Sequence, residues 1–344
     1  MLPLVRTRLA VVDEPEHVTI EVRSLEDPGA GEALVRVREC GICGSDLKMY
    51  SGKHPVIRPP LVPGHEFYGT VEAVGPGAEV EPGALVSVFP TVGCGHCFNC
   101  GRGFWHLCPD MELIGGQRQG GLAELVVVPA ANLVPMDPAV PETVRVLVEP
   151  LAVGVHAAAR AAVELGERVV VIGAGPIGLF TALALRHAGA EDVAITDLSS
   201  ERLALAEELG AGTPVDGSEV ALEDWVREEI RPEGADVALD CVGSDATARQ
   251  ALAVTAKGGR AVLVGLMPAE MGVDGVALQR GERTLLGVQM YLREDFLTAM
   301  RILAEGVVPA ADGVLRAYEL DAAAEAFGAL AAGRPGALKS FVAM

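Results

Sequence analysis

The chain has 344 residues, enough for two domains at roughly 100–200 residues each and for a large buried core. Half of the residues are hydrophobic and 22% are charged, the mixture of a folded globular protein, which sets aside a fibrous or disordered chain. Lys and Arg number 27 against 47 Asp and Glu, a formal charge of −20 that repels nucleic-acid phosphates and anionic lipid, so neither nucleic acid nor a membrane is an expected partner.

Met1–Arg6 carries neither the basic stretch nor the sustained apolar run of a secretion leader, and a cytoplasmic protein is expected. From there to about Pro135, short apolar runs alternate with turns rich in Gly and Pro. Runs 34–37, 70–74, 85–88 and 125–128 predict strands. Cys43 lies here in Gly41-Ile42-Cys43-Gly44-Ser45-Asp46, His65 in Gly64-His65-Glu66, and Glu149 further on in Val148-Glu149-Pro150. One thiolate, one imidazole and one carboxylate suit a catalytic zinc with an open position. Spacing alone does not separate such a site from three structural residues. Cys94, Cys97, Cys100 and Cys108 sit among Gly93, Gly95, Gly101 and Gly103. Four soft ligands on a tightly folding backbone fit a closed structural zinc site, with an iron–sulfur cluster or free surface thiols as the alternatives, and His96 and His106 read as bystanders. Seven cysteines in so long a chain do not read as a disulfide framework.

Between Pro141 and Leu165 the pattern turns Ala-rich and helical, and then the rhythm changes. An apolar strand at 169–172 runs into Gly173-Ala174-Gly175-Pro176-Ile177-Gly178 and a helix over 176–187. Asp197 ends the next strand, 193–196, nineteen residues beyond Gly178. This is the context of a dinucleotide fingerprint: glycines admit the pyrophosphate, the helix N-terminus stabilises its charge, and the acid takes the ribose 2′-OH. A carboxylate there repels a 2′-phosphate and favours NAD over NADP, with Arg202 close enough in sequence to act on a phosphate instead. A helix over 200–209, a strand at 237–239, a helix around 246–254 and strands at 261–264 and 284–288 continue the βαβ alternation of a doubly wound parallel sheet. Helices around 296–304 and 322–332 and a terminal strand near 338–342 close the chain, and that strand is expected to return to the first domain. The apolar stretch 169–185 is short and broken by Gly and Pro, so no membrane span is expected.

Cys-Gly-Ile-Cys-Gly-Ser-Asp at 40–46, Pro-Gly-His-Glu at 63–66, the four-cysteine loop, Glu149-Pro150-Leu151 and the fingerprint at 173–178 occur in this order in the medium-chain zinc-dependent alcohol and polyol dehydrogenases, which the chain resembles over essentially its whole length. The phrase from Glu149 to His156 and the segment Thr196–Ser199 resemble the sorbitol and threonine dehydrogenase branch. The resemblance implies an α/β fold: a β-rich, GroES-like catalytic domain over 1–150, a Rossmann NAD-binding domain over 151–288, and a return to the catalytic domain over 289–344, with the active site in the cleft between them. It implies one catalytic and one structural zinc per chain, NAD, and a homodimer or homotetramer.

By motif, Cys43 and His65 bind the catalytic zinc together with Glu66 or Glu149, since the family uses both carboxylate positions. Asp46 fixes the site from behind and pairs with Lys339 near the cofactor pyrophosphate, and Ser45 begins the proton path. Gly173, Gly175, Pro176, Ile177, Gly178, Asp197, Arg202, Val264 and Lys339 make the cofactor set. The expected reaction is hydride transfer between NAD and a secondary alcohol: a polyol, sugar alcohol, aminocyclitol or hydroxy amino acid. A reductase of the same fold working with NADP on ketones or quinones, or a non-catalytic NAD-binding zinc protein, is the alternative. The sequence departs from the family twice. Lys48 stands where many relatives carry a relay histidine, and reads either as a relay base or as a phosphate contact. Met290-Tyr291 stands where the polyol branch has an Arg-Tyr pair, which disfavours sorbitol and leaves Tyr50 and His54 either as pocket residues or as members of an exposed loop. His156 reads as a packed core histidine.

Overall fold

A computed structural model describes residues 5–309, 313–333 and 336–344; part of the N-terminal stretch weighed above, residues 1–4, lies outside them. The chain divides into two compact units, Met1–Glu149 with Ala310–Met344, and Pro150–Pro309. The division at 149/150 falls in the first turn of the helix Val148–Ala161.

The unit Pro150–Pro309 is built on six parallel strands in the order Thr213–Asp216, Asp192–Asp197, Arg168–Ile172, Ala235–Asp240, Thr255–Leu263, Thr284–Gly287. Val169, Val170 and Val171 are fully buried, as a strand covered on both faces requires, and they pair with Val193–Ile195 on one side and Val237–Leu239 on the other. The strand Thr213–Asp216 gives no apolar signal and contains Pro214, which the sheet tolerates because this strand is its edge. The helix Pro176–His187 starts with Pro at its first position, and Ser200–Glu208 starts where the Ser199 hydroxyl accepts the Arg202 amide. Strand order reverses between Arg168–Ile172 and Ala235–Asp240, which opens a crevice at their carboxyl ends.

The other unit holds a seven-stranded sheet in which Glu32–Gly41 is central, flanked by Lys339–Ala343 and Glu66–Val74 and also pairing with Leu125–Pro129. Its core is formed by Val35, Val37, Phe67, Val71, Val86, Leu122, Val126 and Phe327. A hairpin of Val5–Glu14 and His17–Leu25 lies outside this sheet. Among the described residues no helix is long and apolar enough to cross a membrane.

The chain returns to its first unit at 310, about twenty residues later than the 289 read from the sequence. The reason is the helix Arg293–Ala304, which buries Phe296, Ala299, Met300, Ile302 and Leu303 within the second unit. Its Asp295 carboxylate meets His156 Nδ1 at 2.7 Å and accepts the Leu292 amide at 2.8 Å. His156 is thus packed in the core with a hydrogen-bonded carboxylate partner. Asp295→Ala removes an acceptor from a buried imidazole and from a helix start, and is expected to cost about 2–3 kcal/mol, read as a lower midpoint in urea unfolding.

Candidate active site

The strand Glu32–Gly41 ends in Gly41, and two residues later Cys43 caps the short helix Gly44–Tyr50. Asp46, at the third position of that helix, accepts the Cys43 amide at 2.8 Å and the Gly64 amide at 3.4 Å. Its other approach is to His65 Nδ1, 3.4 Å away. One fully buried carboxylate thereby folds the Cys43 turn and faces the imidazole at Nδ1, which has no hydrogen-bond partner among the described residues, while Nε2 lies 3.4 Å from Ser45 Oγ. Burial acts to lower the His65 pKa, and the Asp46 carboxylate and Cys43 sulfur overcome it and raise it well above the ordinary value. Burial acts to raise Asp46, and His65, the Cys43 amide and Lys339 overcome it and lower it.

Glu66 begins the strand Glu66–Val74, opposite Gly41. A Cβ on Gly41 would lie 2.1 Å from Glu66 Oε2, so only glycine there lets the carboxylate turn inward. Glu66 Oε1 accepts from Lys339 Nζ at 2.5 Å, and Oε2 has no hydrogen-bond partner among the described residues. Cys43, His65 and Glu66 offer ligand atoms within 4.8 Å of one another. Glu149 is buried but outside that set; its charge acts on Lys339. A sulfur, an imidazole nitrogen and an orphaned carboxylate oxygen fit a zinc ion with an open position.

Lys339 requires a correction. Its ammonium pairs with Glu66 and not with Asp46, and the side chain is 4% exposed, committed to the metal set rather than held out for a pyrophosphate. The cause is register: Phe341 pairs with Gly41 and Gly41 with Glu66, which brings the last strand over the carboxylate. Burial acts to lower the Lys339 pKa, and Glu66 and Cys43 raise it past the ordinary lysine range.

Cys94, Cys97, Cys100 and Cys108 also place their sulfurs within 4.8 Å of one another. The His96 amide, against burial, draws Cys94 down to about 6, while burial pushes Cys100 up to about 12. Four crowded sulfurs cannot all carry charge without a cation, and the donor set suits a closed zinc site. By contrast Cys40 and Cys241 are raised by burial and stand apart from both sets.

In the other unit, the loop Gly173–Gly178 leaves the central strand at the crevice. A Cβ on Gly178 would sit 1.7 Å from the Gly173 carbonyl oxygen, which fixes glycine there. Asp197 Oδ2 accepts the Ala174 amide at 2.8 Å and Oδ1 the Ser199 amide at 3.0 Å, so this acid braces the loop. Arg202 Nη1 reaches Asp197 Oδ2 at 3.4 Å. Val264, just past the strand Thr255–Leu263, donates its amide to the Asp240 carbonyl oxygen. Asp240 itself was not singled out from the sequence: fully buried at the end of a central strand, it accepts the Val242 and Gly243 amides and shapes the neighbouring loop. An acid closing an apolar strand was the available signal.

Tyr50 is not a pocket residue; it packs on Phe327 with ring centroids 5.3 Å apart and donates its hydroxyl to the Glu16 carbonyl. Tyr291 is fully buried and stacks on Phe296, while Met290 before it takes a φ of 46°, strained for a non-glycine residue.

Comparison with known proteins matches residues 29–138 to the alcohol dehydrogenase GroES-like domain and residues 176–305 to the zinc-binding dehydrogenase family. The chain is 31% identical to L-galactonate-5-dehydrogenase of Escherichia coli strain K12 over 92% of this chain and 93% of that one. It is 36% identical to L-threonine 3-dehydrogenase of Streptomyces coelicolor over 95% and 97%. The solved structure of 2R,3R-butanediol dehydrogenase from Bacillus subtilis superposes with a TM-score of 0.89 at 30% identity, covering 98% of this chain and 99% of that one.

Lys339→Met leaves the Glu66 carboxylate buried without its cation and is expected to destabilise the chain by about 3–5 kcal/mol in denaturant unfolding. Adding Glu66→Gln in the same chain should recover more than half of that loss.

Proposed function

The chain belongs to the medium-chain zinc-dependent alcohol and polyol dehydrogenases, and from this premise we propose that it oxidises a secondary alcohol to a ketone with NAD as hydride acceptor, and runs the reverse reduction at the same site. The observation that carries the reading is the convergence of Cys43, His65 and Glu66 beside Ser45, with one buried Glu66 oxygen left without a partner. We assign the unit Met1–Glu149 with Ala310–Met344 to catalysis and Pro150–Pro309 to the cofactor. The zinc-binding sequence family and both ligand sets favour two zinc ions.

A zinc ion held at the first set would supply Lewis-acid polarisation of an alcohol oxygen, and bound NAD would serve as the hydride acceptor. The protein supplies the rest. Cys43, His65 and Glu66 hold the ion, Asp46 faces His65 at Nδ1, and Lys339 holds the second oxygen of Glu66. Ser45 Oγ, beside His65 Nε2, would accept the hydroxyl proton while passing its own proton on towards water, so that it begins a relay and is not itself the final base. The loop Gly173–Gly178 receives the pyrophosphate at the N-terminus of Pro176–His187. Asp197 takes the ribose hydroxyls and Val264 lines the cofactor site. Arg202 is already paired with Asp197, which supports NAD over NADP, since a 2′-phosphate would face the carboxylate.

Following NAD reduction with purified protein and a panel of polyols, aldonates, threonine and diols tests the activity; no reduction with any of them refutes it. Two metal ions per chain are expected by elemental analysis, with Cys43→Ser keeping one ion and the fold but losing turnover. Cys100→Ser should instead lose the other ion and lower the unfolding temperature. Asp197→Ser should raise KM for NAD about tenfold and narrow the preference over NADP; a wild-type kcat/KM higher with NADP would reverse the cofactor assignment.

A further inference from the structure

Asp240 ends the strand Ala235–Asp240 and is fully buried, yet its carboxylate has no task in the chemistry above. Oδ1 accepts the amides of Val242 and Gly243 at 2.9 and 3.1 Å, while the Asp240 carbonyl oxygen accepts those of Val264 and Gly265, both at 2.9 Å. One residue thus ties together the loops that leave two neighbouring strands. Those loops touch along their backbones and reach the glycine turn: a Cβ on Gly243 would lie 2.7 Å from the Gly265 carbonyl carbon, and one on Gly173 2.7 Å from Val242 Cγ2.

The loop amides satisfy only one side-chain oxygen. Oδ2 is buried and has no hydrogen-bond partner, and no cationic side chain lies within ion-pair distance of Asp240, among the described residues. Its register neighbours on either side, Ile172 and Leu263, are buried and apolar, so the field of this carboxylate is weakly screened. The charge acts on the next residue. Burial pushes the Cys241 thiol up to about 12, and the Asp240 carboxylate adds to that rise against the Thr181 hydroxyl.

Strand order reverses between Arg168–Ile172 and Ala235–Asp240, and a dinucleotide lies across such a crevice with one nucleotide over each half of the sheet. Asp197 belongs to the half assigned above to the adenosine ribose. The nicotinamide nucleotide therefore falls to the half that Asp240 begins, where both tied loops carry an exposed aliphatic residue, Val242 and Leu266. An oxidised nicotinamide ring carries one positive charge, and a reduced ring carries none.

Resting on the dehydrogenase reading above, we propose that Asp240 is a buried counter-charge for the oxidised nicotinamide ring, favouring NAD over NADH in the binary complex. A group that binds the oxidised form more tightly makes the bound coenzyme the stronger hydride donor by the same factor. The loop hydrogen bonds need only an acceptor at Oδ1; the charge on Oδ2 is what a neutral side chain would lose.

The test is the ratio of the dissociation constants for NAD and NADH, measured by calorimetry and by NADH fluorescence on the zinc-loaded protein, in wild type, Asp240→Asn, Asp240→Ser and Gly243→Ala. Asn and Ser both keep an oxygen that can accept the Val242 and Gly243 amides and both remove the charge, so either one decides if the other fails to fold. Gly243→Ala keeps the charge and disturbs the same loops, because φ there is 83°. The neutral variants are expected to weaken NAD about fivefold more than NADH, and Gly243→Ala to weaken both by factors equal within about twofold. An unchanged ratio in the neutral variants overturns the proposal, and so does the same shift of ratio in Gly243→Ala, since either result leaves Asp240 as a brace for the loops. Wild-type protein that binds neither coenzyme refutes the dehydrogenase reading and this proposal with it; coenzyme binding with an unmoved ratio removes the proposal alone.

Discussion

Two carboxyl groups, those of Asp46 and Glu66, are buried around the Cys43 turn, where the His65 imidazole faces the first and the Lys339 ammonium meets the second. Removing an ion from water costs several kcal/mol even after the protein relaxes. The arrangement is therefore stable only if each oxygen finds a hydrogen bond or a cation. Asp46 is satisfied by two amides and faced by the imidazole at 3.4 Å, and Glu66 is half satisfied by Lys339. The remaining Glu66 oxygen, a His65 ring nitrogen and the Cys43 sulfur are what a divalent cation would complete.

That requirement reaches far along the chain. Glu66 turns inward because Gly41 has no side chain, and Lys339 meets it because the last strand pairs with Glu32–Gly41 in the register that sets Phe341 against Gly41. The unit Met1–Glu149 with Ala310–Met344 is therefore discontinuous: its final strand carries the only cation that contacts Glu66 among the described residues, 273 residues away in sequence. The second unit obeys a different constraint, close backbone approach at the strand reversal. There Gly178 against Gly173, and Asp197 bracing Ala174, hold a tight glycine turn at a helix N-terminus.

The sequence by itself determined the elements whose signals are local. The helix Pro176–His187 and the strand Leu85–Val88 stand at the residues their apolar pattern marks, and the four cysteines fall within one loop because a short segment can close on itself whatever surrounds it. Cys43, His65 and the glycine loop were legible as chemistry because each sits in a short motif. The strand Thr213–Asp216 was missed, since an edge strand containing proline has neither alternation nor an apolar run. Tyr50 was misjudged because an aromatic beside a catalytic helix looks the same in sequence whether it faces a ligand or Phe327.

Tertiary structure alone decided which partners meet across long separations. Lys339 belongs to Glu66 and not to Asp46, His156 belongs to Asp295, and the helix Arg293–Ala304 joins the unit Pro150–Pro309, each through pairings more than a hundred residues apart or through a face buried only after folding. Composition fixes how many charges must be compensated, and motif spacing fixes where ligands cluster. Strand register is cooperative over the whole sheet, and a one-residue slip would turn Lys339 to the other face, so the identity of its partner is written in the assembled sheet and in no local segment.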